Sequence, residues 1–337
     1  MMGAAPELPL RRRRVFLLGA TGTIGRAALR ALLARGWEVV CFGRDRAAAG
    51  APGAAGQPEG ARLRSGNVHS LESLLQDGLR GESFDAVLSC MASRTGMPAD
   101  AWAIDHDAHL QVLAAARAAG IAHFVLLSAI CVQKPLLAFQ HAKLAFERAL
   151  IASGIDYTIV RPTAFFKSLS GQVERVRRGR PFLVFGDGTL SACKPIGDDD
   201  LGAYLADCLD DRSRRGCVLP IGGPGAPITP REQGERLFAL LGRTPRFRHV
   251  PLGLLDGIIG VLDLAGRLVP AARDKAQLAR IGRYYASESM LVLDPYTGRY
   301  DAAATPSTGT QTLFDYYEQL LSGAATAERG AHAVFQS

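Results

Sequence analysis

The sequence lacks the features that would place it among metal-bound, secreted or membrane-spanning proteins. Its six cysteines form no CxxC pair and no closely spaced set with histidine, which argues against a zinc site or a disulfide framework and indicates a reducing compartment. No uncharged apolar run reaches about eighteen residues, so we expect no spanning helix. The start, MMGAAPELPLRRRR, lacks the order of basic region, apolar core and cleavage site that marks a signal peptide.

Charge is also sparse, at 21% of residues, and hydrophobic residues make up 48%, as in ordinary globular proteins. The net charge of +7 comes from scattered basic clusters at residues 11–14, 174–180 and 212–215. We interpret these clusters as solvated surface, with anionic ligands or lipid headgroups as the alternative. No nucleic-acid-binding motif accompanies them, so we expect no nucleic-acid partner.

The most apolar segment is VPLGLLDGIIGVLDLAGRLVP, residues 250–270, which Asp256, Asp263 and Arg267 interrupt. This pattern predicts an amphipathic helix packed on the protein. The alternatives are a pocket wall for an apolar substrate and a shallow contact with a membrane surface.

The first half of the chain alternates short apolar runs with helical patterns. Apolar strands separated by helices predict an α/β fold with a doubly wound parallel sheet, covered on both faces. One more strand is predicted at residues 216–223 and one more helix at residues 229–242. The predicted strands of the first half lie at residues 15–20, 37–43, 62–68, 84–90, 123–129 and 156–162. The predicted helices between them lie at residues 23–35, 70–79 and 98–119 and around Lys143.

The segment GATGTIG follows the first strand directly and opens a helix. In this position Gly19 permits a tight turn, Gly22 lets the backbone approach a pyrophosphate, and Gly25 lets helix and strand pack closely. The free N–H groups at the helix start favour phosphate. We therefore predict a Rossmann-type dinucleotide site that all seven residues contact, namely Gly19, Ala20, Thr21, Gly22, Thr23, Ile24 and Gly25.

The end of the second strand, CFGRDR, indicates which dinucleotide binds. Arg44 stands where an acid usually accepts from the ribose hydroxyls of NAD, and a guanidinium there pairs with a 2′-phosphate. Asp45, one residue on, keeps the alternative open, but we predict NADPH. Asn67 and Val68 are predicted beside the adenine. Further cofactor contacts are predicted at the end of the fourth strand, from Cys90, Met91 and Ala92.

With these residues placed, the chain resembles an atypical short-chain dehydrogenase/reductase over residues 12–241. The resemblance includes HFVLLSA with Ser128, the spaced Lys143 and VRPTAFF. Longer stretches resemble the NADPH-dependent divinyl chlorophyllide 8-vinyl reductases: residues 126–147, residues 159–188, CKPIGDDDLGAYLADCL and GRYYASESMLVLDPYTGRYDAAATPSTG. This resemblance covers nearly the whole chain outside both tails. It implies an oxidoreductase that reduces the 8-vinyl group of 3,8-divinyl chlorophyllide or protochlorophyllide a to ethyl, in (bacterio)chlorophyll synthesis.

The stretch FQHAKLAFE, residues 139–147, departs from the Tyr-x-x-x-Lys pair of the superfamily. Lys143 is present, but Phe139 occupies the tyrosine position. In that superfamily the phenol protonates a carbonyl oxygen, which phenylalanine cannot do. Reduction of a conjugated vinyl group creates no alkoxide and tolerates this loss. The departure therefore agrees with the vinyl-reductase resemblance.

The resemblance also implies roles for single residues. Lys143 positions the nicotinamide ribose and relays a proton, and Ser128 is a second catalytic candidate, with a local strand-end hydrogen bond as its alternative. Pro162 and Thr163 lie near the nicotinamide carboxamide. The predicted substrate contacts are Phe139, Phe165 and Phe166 on the flat tetrapyrrole, and Arg161 and Lys167 on its propionate, where structural ion pairing is an equal alternative.

The predicted organisation has four parts: a tail at 1–11, a Rossmann core at 12–165, a region with the last strand and a substrate-binding lobe at 166–322, and a tail at 323–337. No metal is expected, because His106 and His109 have no evident partner ligand. The absence of a leader suggests a bacterial cytoplasm, with peripheral contact at the photosynthetic membrane as an option. The oligomeric state does not follow from the sequence.

Two other functions stay open. One is an isoflavone-reductase-like enzyme that acts on another conjugated small molecule. The other is an NmrA-like NADP(H) sensor or assembly factor without turnover. Such proteins keep the glycine loop and lose the lysine, so Lys143 favours the enzyme.

Overall fold

The computed structural model describes residues 12–44 and 60–325. Its centre is a parallel sheet of seven strands in the order β3-β2-β1-β4-β5-β6-β8. A parallel two-stranded sheet, β7-β9, and an antiparallel one, β10-β11, lie outside it. The strands are β1 Arg14–Leu18, β2 Glu38–Gly43, β3 Ala61–Ser65, β4 Ala86–Ser89, β5 His123–Leu127, β6 Asp156–Pro162, β7 Phe182–Phe185, β8 Cys217–Ile221, β9 Phe247–Val250, β10 Val292–Leu293 and β11 Tyr300–Asp301.

Twelve α-helices are present in the described part of the chain. They are α1 Thr23–Ala34, α2 Leu71–Ser73, α3 Pro98–Ala101, α4 His109–Ala118, α5 Ala138–Ala152, α6 Phe166–Leu169, α7 Val173–Arg177, α8 Asp198–Asp210, α9 Pro230–Leu240, α10 Leu252–Gly266, α11 Pro270–Ser287 and α12 Leu313–Ser322. Segments Leu74–Leu79 and Trp102–Ala108 are π-helical, and Ile130–Gln133, Ser170–Gln172 and Arg212–Arg214 are 3₁₀ turns.

The apolar strands explain why the sheet is covered on both faces. In β1, Val15 and Leu17 belong to the core cluster that also contains residues of α1 and α8. Phe16 and Leu18 point to the opposite cluster, which contains residues of α4 and α5. Successive side chains of a strand point to opposite faces, so a fully apolar strand needs a helix layer on each. The predicted doubly wound α/β sheet is confirmed.

Strand order reverses beside β1, since β2 lies on one side of it and β4 on the other. Such a switch point opens a crevice at the carboxyl ends of the strands. The loops that follow β1, β4, β5 and β6 meet there, and these loops carry most of the predicted site residues.

The later part of the chain contributes to both regions. The strand predicted at residues 216–223 is β8, which pairs with β6 in the main sheet. Helix α9 begins after Thr229, whose hydroxyl accepts from the Glu232 backbone N–H in a capping box. Helices α7, α9 and α12 with β7 and β9 form a separate core around Phe182, Leu237 and Tyr317. The predicted division at residue 165 stays a prediction.

Some predictions fall outside the described residues, namely the tail at 1–11, Asp45 and most of the tail at 323–337. Residues 250–270, predicted as an amphipathic helix, contain α10, which packs against α11 as a helical hairpin. No helix in the described residues combines the length and the apolar character needed to cross a membrane.

Candidate active site

A cavity of about 430 Å³ lies at the carboxyl ends of the central strands. Its wall is mainly apolar, and its charged lining side chains are Lys143 and Glu288. Concave, largely apolar sites with a few polar groups are typical of small-molecule binding. Among the predicted site residues, Met91, Ala92, Ser128, Phe139, Lys143, Pro162, Thr163 and Phe165 line this cavity.

The glycine loop has a geometry that only glycine allows at two positions. Gly19 has a φ of +76°, and a Cβ atom there would lie 2.5 Å from the carbonyl carbon of Cys90. A Cβ on Gly25 would lie 2.1 Å from the carbonyl oxygen of Gly19. Helix α1 begins after Gly22 with no side-chain cap and no acidic residue in its first turn. Its free N–H groups therefore suit the pyrophosphate of a dinucleotide.

The residues predicted at the adenosine end lie together at one edge of the sheet. Arg44 is exposed directly after β2, and the next strand, β3, pairs with β2 so that Gly43 lies opposite Ser65. Asn67 and Val68 follow β3. The Asn67 side chain accepts from the backbone N–H of His69 at 3.0 Å, which orders this loop. A 2′-phosphate placed here would meet the Arg44 guanidinium.

Lys143 is held by a buried carboxylate that sequence reasoning missed. Its Nζ donates to Oδ1 of Asp105 at 2.9 Å, and the backbone N–H of Ser93 donates to the same oxygen at 3.2 Å. The Asp105 side chain is fully buried and its Oδ2 has no hydrogen-bond partner among the described residues. Asp105 lies in the π-helical segment Trp102–Ala108, and such segments occur often at functional sites.

Next to this pair lies His109, which sequence reasoning considered only as a metal ligand. Its Nδ1–H donates to the carbonyl oxygen of Ile104 at 2.7 Å, so Nε2 accepts from the Ser89 hydroxyl at 2.9 Å. Burial, and then the positive charge of Lys143, lower the pKa of His109 to about 4. The imidazole is therefore neutral at pH 7. No group of three or more potential metal ligands occurs in residues 12–44 and 60–325.

Ser128 and Arg161 both contact Glu147, which is almost fully buried. The Ser128 hydroxyl donates to Oε1 of Glu147 at 2.5 Å. The Arg161 guanidinium forms an ion pair with the same carboxylate, with Nε 3.3 Å from Oε1. Ser128 thus forms a local hydrogen bond, the alternative to its catalytic role, and Arg161 forms a structural ion pair, the alternative to its substrate contact. Arg161 does not line the cavity, so its predicted contact with the substrate propionate stays a prediction without support from its position.

The neighbouring pair Phe165 and Phe166 divides between two environments. Phe165 lines the cavity, as Phe139 does. Phe166 is buried in the lobe core, where its ring stacks on Tyr316 with centroids 5.6 Å apart. Of the three phenylalanines predicted on the tetrapyrrole, Phe166 is therefore placed for packing. Phe165 is the extended residue before α6 and Phe166 is the first residue of that helix, so the backbone changes direction between them.

Lys167 lies at the glycine loop instead of the cavity. Its Nζ donates to the hydroxyl of Thr23, the first residue of α1, at 3.2 Å. That contact places a cation beside the helix N-terminus predicted to hold the pyrophosphate. The sequence predicts Lys167 at the substrate propionate. Its contact with α1 could not be foreseen, because it depends on the packing of two segments separated by 144 residues.

Comparisons with known proteins identify the family of this chain. Residues 19–212 match a family described as NAD(P)H-binding. A divinyl chlorophyllide a 8-vinyl-reductase of Cucumis sativus, described as chloroplastic, is 49% identical over 334 residues, which cover 95% of this chain and 79% of that protein. The chain belongs to the divinyl chlorophyllide a 8-vinyl-reductase family. This membership confirms the resemblance, the oxidoreductase class and the nicotinamide cofactor that the sequence predicts.

Two further likenesses concern a more distant relative and a solved structure. A photosystem II assembly factor of Synechocystis is 31% identical, and the match covers 72% of this chain and 72% of that protein. The solved NADPH-dependent quinone oxidoreductase of Escherichia coli, in complex with NADPH, superposes with a TM-score of 0.66 at 19% identity, covering 91% of this chain and 99% of that one. This second likeness establishes the shared fold.

Proposed function

We propose that this protein reduces the 8-vinyl group of 3,8-divinyl chlorophyllide a, or of the corresponding protochlorophyllide, to an ethyl group with NADPH. The observation that carries the proposal is the apolar cavity in which Phe139 stands one helical turn before Lys143. A carbonyl reductase needs an acid at this position to protonate a developing alkoxide. Reduction of a carbon–carbon double bond forms no alkoxide, so an apolar ring there is compatible with the reaction.

The cofactor is held by groups at three places in this proposal. The glycine loop and Lys167 contact the pyrophosphate, Arg44 contacts the 2′-phosphate, and Lys143 contacts the nicotinamide ribose. When bound, NADPH supplies the hydride. Asp105 fixes the Lys143 ammonium at the cavity wall, and the ammonium is the donor that faces the ribose hydroxyls.

The same cavity holds the substrate. Phe139 and Phe165 contact the flat macrocycle, and the apolar wall excludes water from the reacting vinyl group. We assign Arg161 to the support of Glu147, and Phe166 to the packing of the lobe. Ser128 keeps the β5 end in place through Glu147. A proton must still reach a substrate carbon, and Lys143 acting through a ribose hydroxyl is our candidate route for it.

We further propose that the protein works in the cytoplasm of a pigment-making cell and contacts the photosynthetic membrane peripherally. The relative from Cucumis sativus is chloroplastic by its description, which places that protein in the compartment where chlorophyll is made. The tetrapyrrole substrate is itself largely apolar, so a location next to a membrane brings the enzyme close to its substrate.

The test is an assay of the purified protein with 3,8-divinyl chlorophyllide a and either NADPH or NADH, with the pigment products analysed by mass. We expect a gain of two hydrogens with NADPH. Arg44→Ala should raise the KM for NADPH about tenfold and leave that for NADH unchanged, because only NADPH carries the 2′-phosphate. Arg62→Ala on the neighbouring strand β3 is the matched control, since the exposed Arg62 pairs with Glu38 at the opposite end of β2 from Arg44.

A parallel assay with divinyl protochlorophyllide a shows whether the enzyme prefers the chlorophyllide or the protochlorophyllide as its substrate. Tight NADPH binding without product from either pigment would contradict the reductase proposal. That result would favour a non-catalytic role such as that of the photosystem II assembly factors.

A further inference from the structure

Helix α10 exposes apolar side chains on the side that faces away from α11. Leu254, Ile258, Val261 and Leu264 are between 41% and 69% exposed, and Leu268 just after the helix is 89% exposed. Together with Val269 they form what we call the α10 surface. Helices in water normally turn their apolar side inward and their polar side outward. A contiguous exposed apolar face of this kind marks an interaction site.

The acidic residues of α10 are turned away from this surface. Asp256 forms an ion pair with Arg283 of α11 at 2.8 Å, and Asp263 forms one with Arg280 of the same helix. These two pairs fasten α10 to α11 along one side. The orientation of the apolar stripe is therefore set by polar contacts within the hairpin, and no carboxylate of α10 belongs to the exposed stripe.

Exposed arginines lie close to the α10 surface along the chain. Arg246 and Arg248 are exposed in and next to β9, the strand that leads into α10, and Arg267 is exposed beside Leu268. The Arg243 guanidinium donates to the carbonyl oxygens of Val176 and Arg177 at 2.9 Å. This contact joins the segment before β9 to the end of α7, where Arg177, Arg178 and Arg180 are exposed, the first two in ion pairs with Glu174.

The hairpin also forms part of the cavity wall. Ile281, Gly282 and Tyr285 of α11 line the cavity, as does Phe185 of β7, the partner strand of β9. The hairpin therefore connects the α10 surface with the wall of the proposed substrate site. The role of this surface rests on the peripheral membrane contact of the proposed function, but not on which reaction the cavity performs.

We propose that the α10 surface docks on an anionic lipid bilayer. Aliphatic side chains of the stripe enter the boundary between headgroups and acyl chains, while the arginines contact lipid phosphates. A second copy of the chain is less suited to the site, because two such surfaces face to face would bring the arginine clusters together. The docking is peripheral and involves the hairpin alone.

The test is co-sedimentation of the full chain with vesicles of phosphatidylglycerol and phosphatidylcholine, compared with vesicles of phosphatidylcholine alone. We expect binding to the anionic vesicles that weakens with added salt. Ile258→Gln should lower the partition coefficient about tenfold. Ile151→Gln is the matched control, because Ile151 is an equally exposed isoleucine on a helix, 45% against 41%, but lies at the end of α5. It should change binding less than twofold.

A charge variant tests the arginines separately. Arg246→Gln with Arg248→Gln should lower the partition about 25-fold and reduce the salt dependence, at about fivefold for each arginine. Thermal unfolding and NADPH binding without vesicles check that each variant is folded. Absent binding of the wild type to anionic vesicles would overturn the proposal, as would equal losses for Ile258→Gln and Ile151→Gln. A wild-type dimer that Ile258→Gln converts to a monomer would show that a second copy covers the surface.

Discussion

Removing Lys143 alone should destabilise the protein more than removing Lys143 and Asp105 together. In the wild type the Lys143 ammonium lies 2.9 Å from a fully buried carboxylate, and the lysine side chain is only 12% exposed. Lys143→Met leaves that carboxylate with the Ser93 N–H as its remaining partner. Breaking a buried ion pair by removing one partner costs about 3–5 kcal/mol, whereas replacing both charges is often nearly neutral.

We therefore expect Lys143→Met and Asp105→Asn each to lower the free energy of unfolding by about 3 kcal/mol. The double variant should lose only about 1 kcal/mol, because it leaves no buried charge without its partner. The measurement is urea unfolding at pH 7 of the wild type, both single variants and the double variant. Glu174→Gln with Arg178→Met is a suitable control cycle, because this exposed pair should show coupling below about 0.5 kcal/mol. Additive losses at the Lys143–Asp105 pair would refute the reasoning.

This cycle matters for every activity measurement on Lys143. A loss of turnover in Lys143→Ala has two possible causes, the missing ribose contact and a destabilised fold. The double variant Lys143→Met with Asp105→Asn separates them, because it lacks the ammonium but should keep most of the stability. An inactive double variant that unfolds near the wild-type urea concentration would assign the loss to chemistry or cofactor positioning.

Three further predictions concern single residues. The pKa of His109 is about 4 in the fold and near 6.5 when unfolded, so the unfolded state binds more protons between these values. As pH falls from 6.5 to 4, protonation of His109 in the unfolded state should lower the free energy of unfolding of the wild type by about 3 kcal/mol. In urea unfolding across that range, the free energy of unfolding of His109→Gln should depend less steeply on pH. Lys167→Met should weaken the binding of NADPH and of NADH by the same factor, about tenfold in titrations, because both cofactors carry the pyrophosphate. A change confined to the KM for the pigment would instead place Lys167 at the substrate carboxylate. Phe139→Tyr should lower kcat/KM for the divinyl pigment about tenfold and leave the NADPH affinity unchanged, because it puts a hydroxyl into an apolar wall. An increase in kcat/KM would instead mean that a phenol at residue 139 donates the proton that the substrate carbon needs.

The fold and the cofactor loop could be predicted from the sequence because their causes are local. A fully apolar strand such as β1 needs cover on both faces wherever it lies, and the glycine spacing follows from close contacts within residues 19–25. The clash of a Cβ on Gly25 with the oxygen of Gly19 involves two residues six positions apart. Such constraints leave a readable pattern in the sequence.

The polar contacts of the site could not be predicted in the same way. Lys143 and Asp105 are 38 residues apart, and Asp105 reaches the lysine from a π-helical segment that a regular helical period over residues 98–119 does not show. Likewise, the choice between Phe165 and Phe166 depends on where α6 begins. One signal was available in the sequence. The segment AIDHD, residues 103–107, places Asp105 and Asp107 in the helix predicted after the fourth strand, and either acid could have been considered as a partner for Lys143.

These contacts also explain how a site that carries a lysine can suit an apolar pigment. An unpaired ammonium in the wall would favour a polar or anionic ligand and would hold water in the cavity. Asp105 supplies the opposite charge from the buried side, Glu147 takes the Ser128 hydroxyl, and Ser89 donates inward to His109. Apart from Oδ2 of Asp105, these polar groups of the catalytic edge thus have partners within the protein, and Phe139 completes the apolar side facing the substrate. A site with this arrangement offers little to a developing alkoxide. It is better suited to a reaction in which the charge formed on the substrate is delocalised over a conjugated ring, as in reduction of a vinyl group.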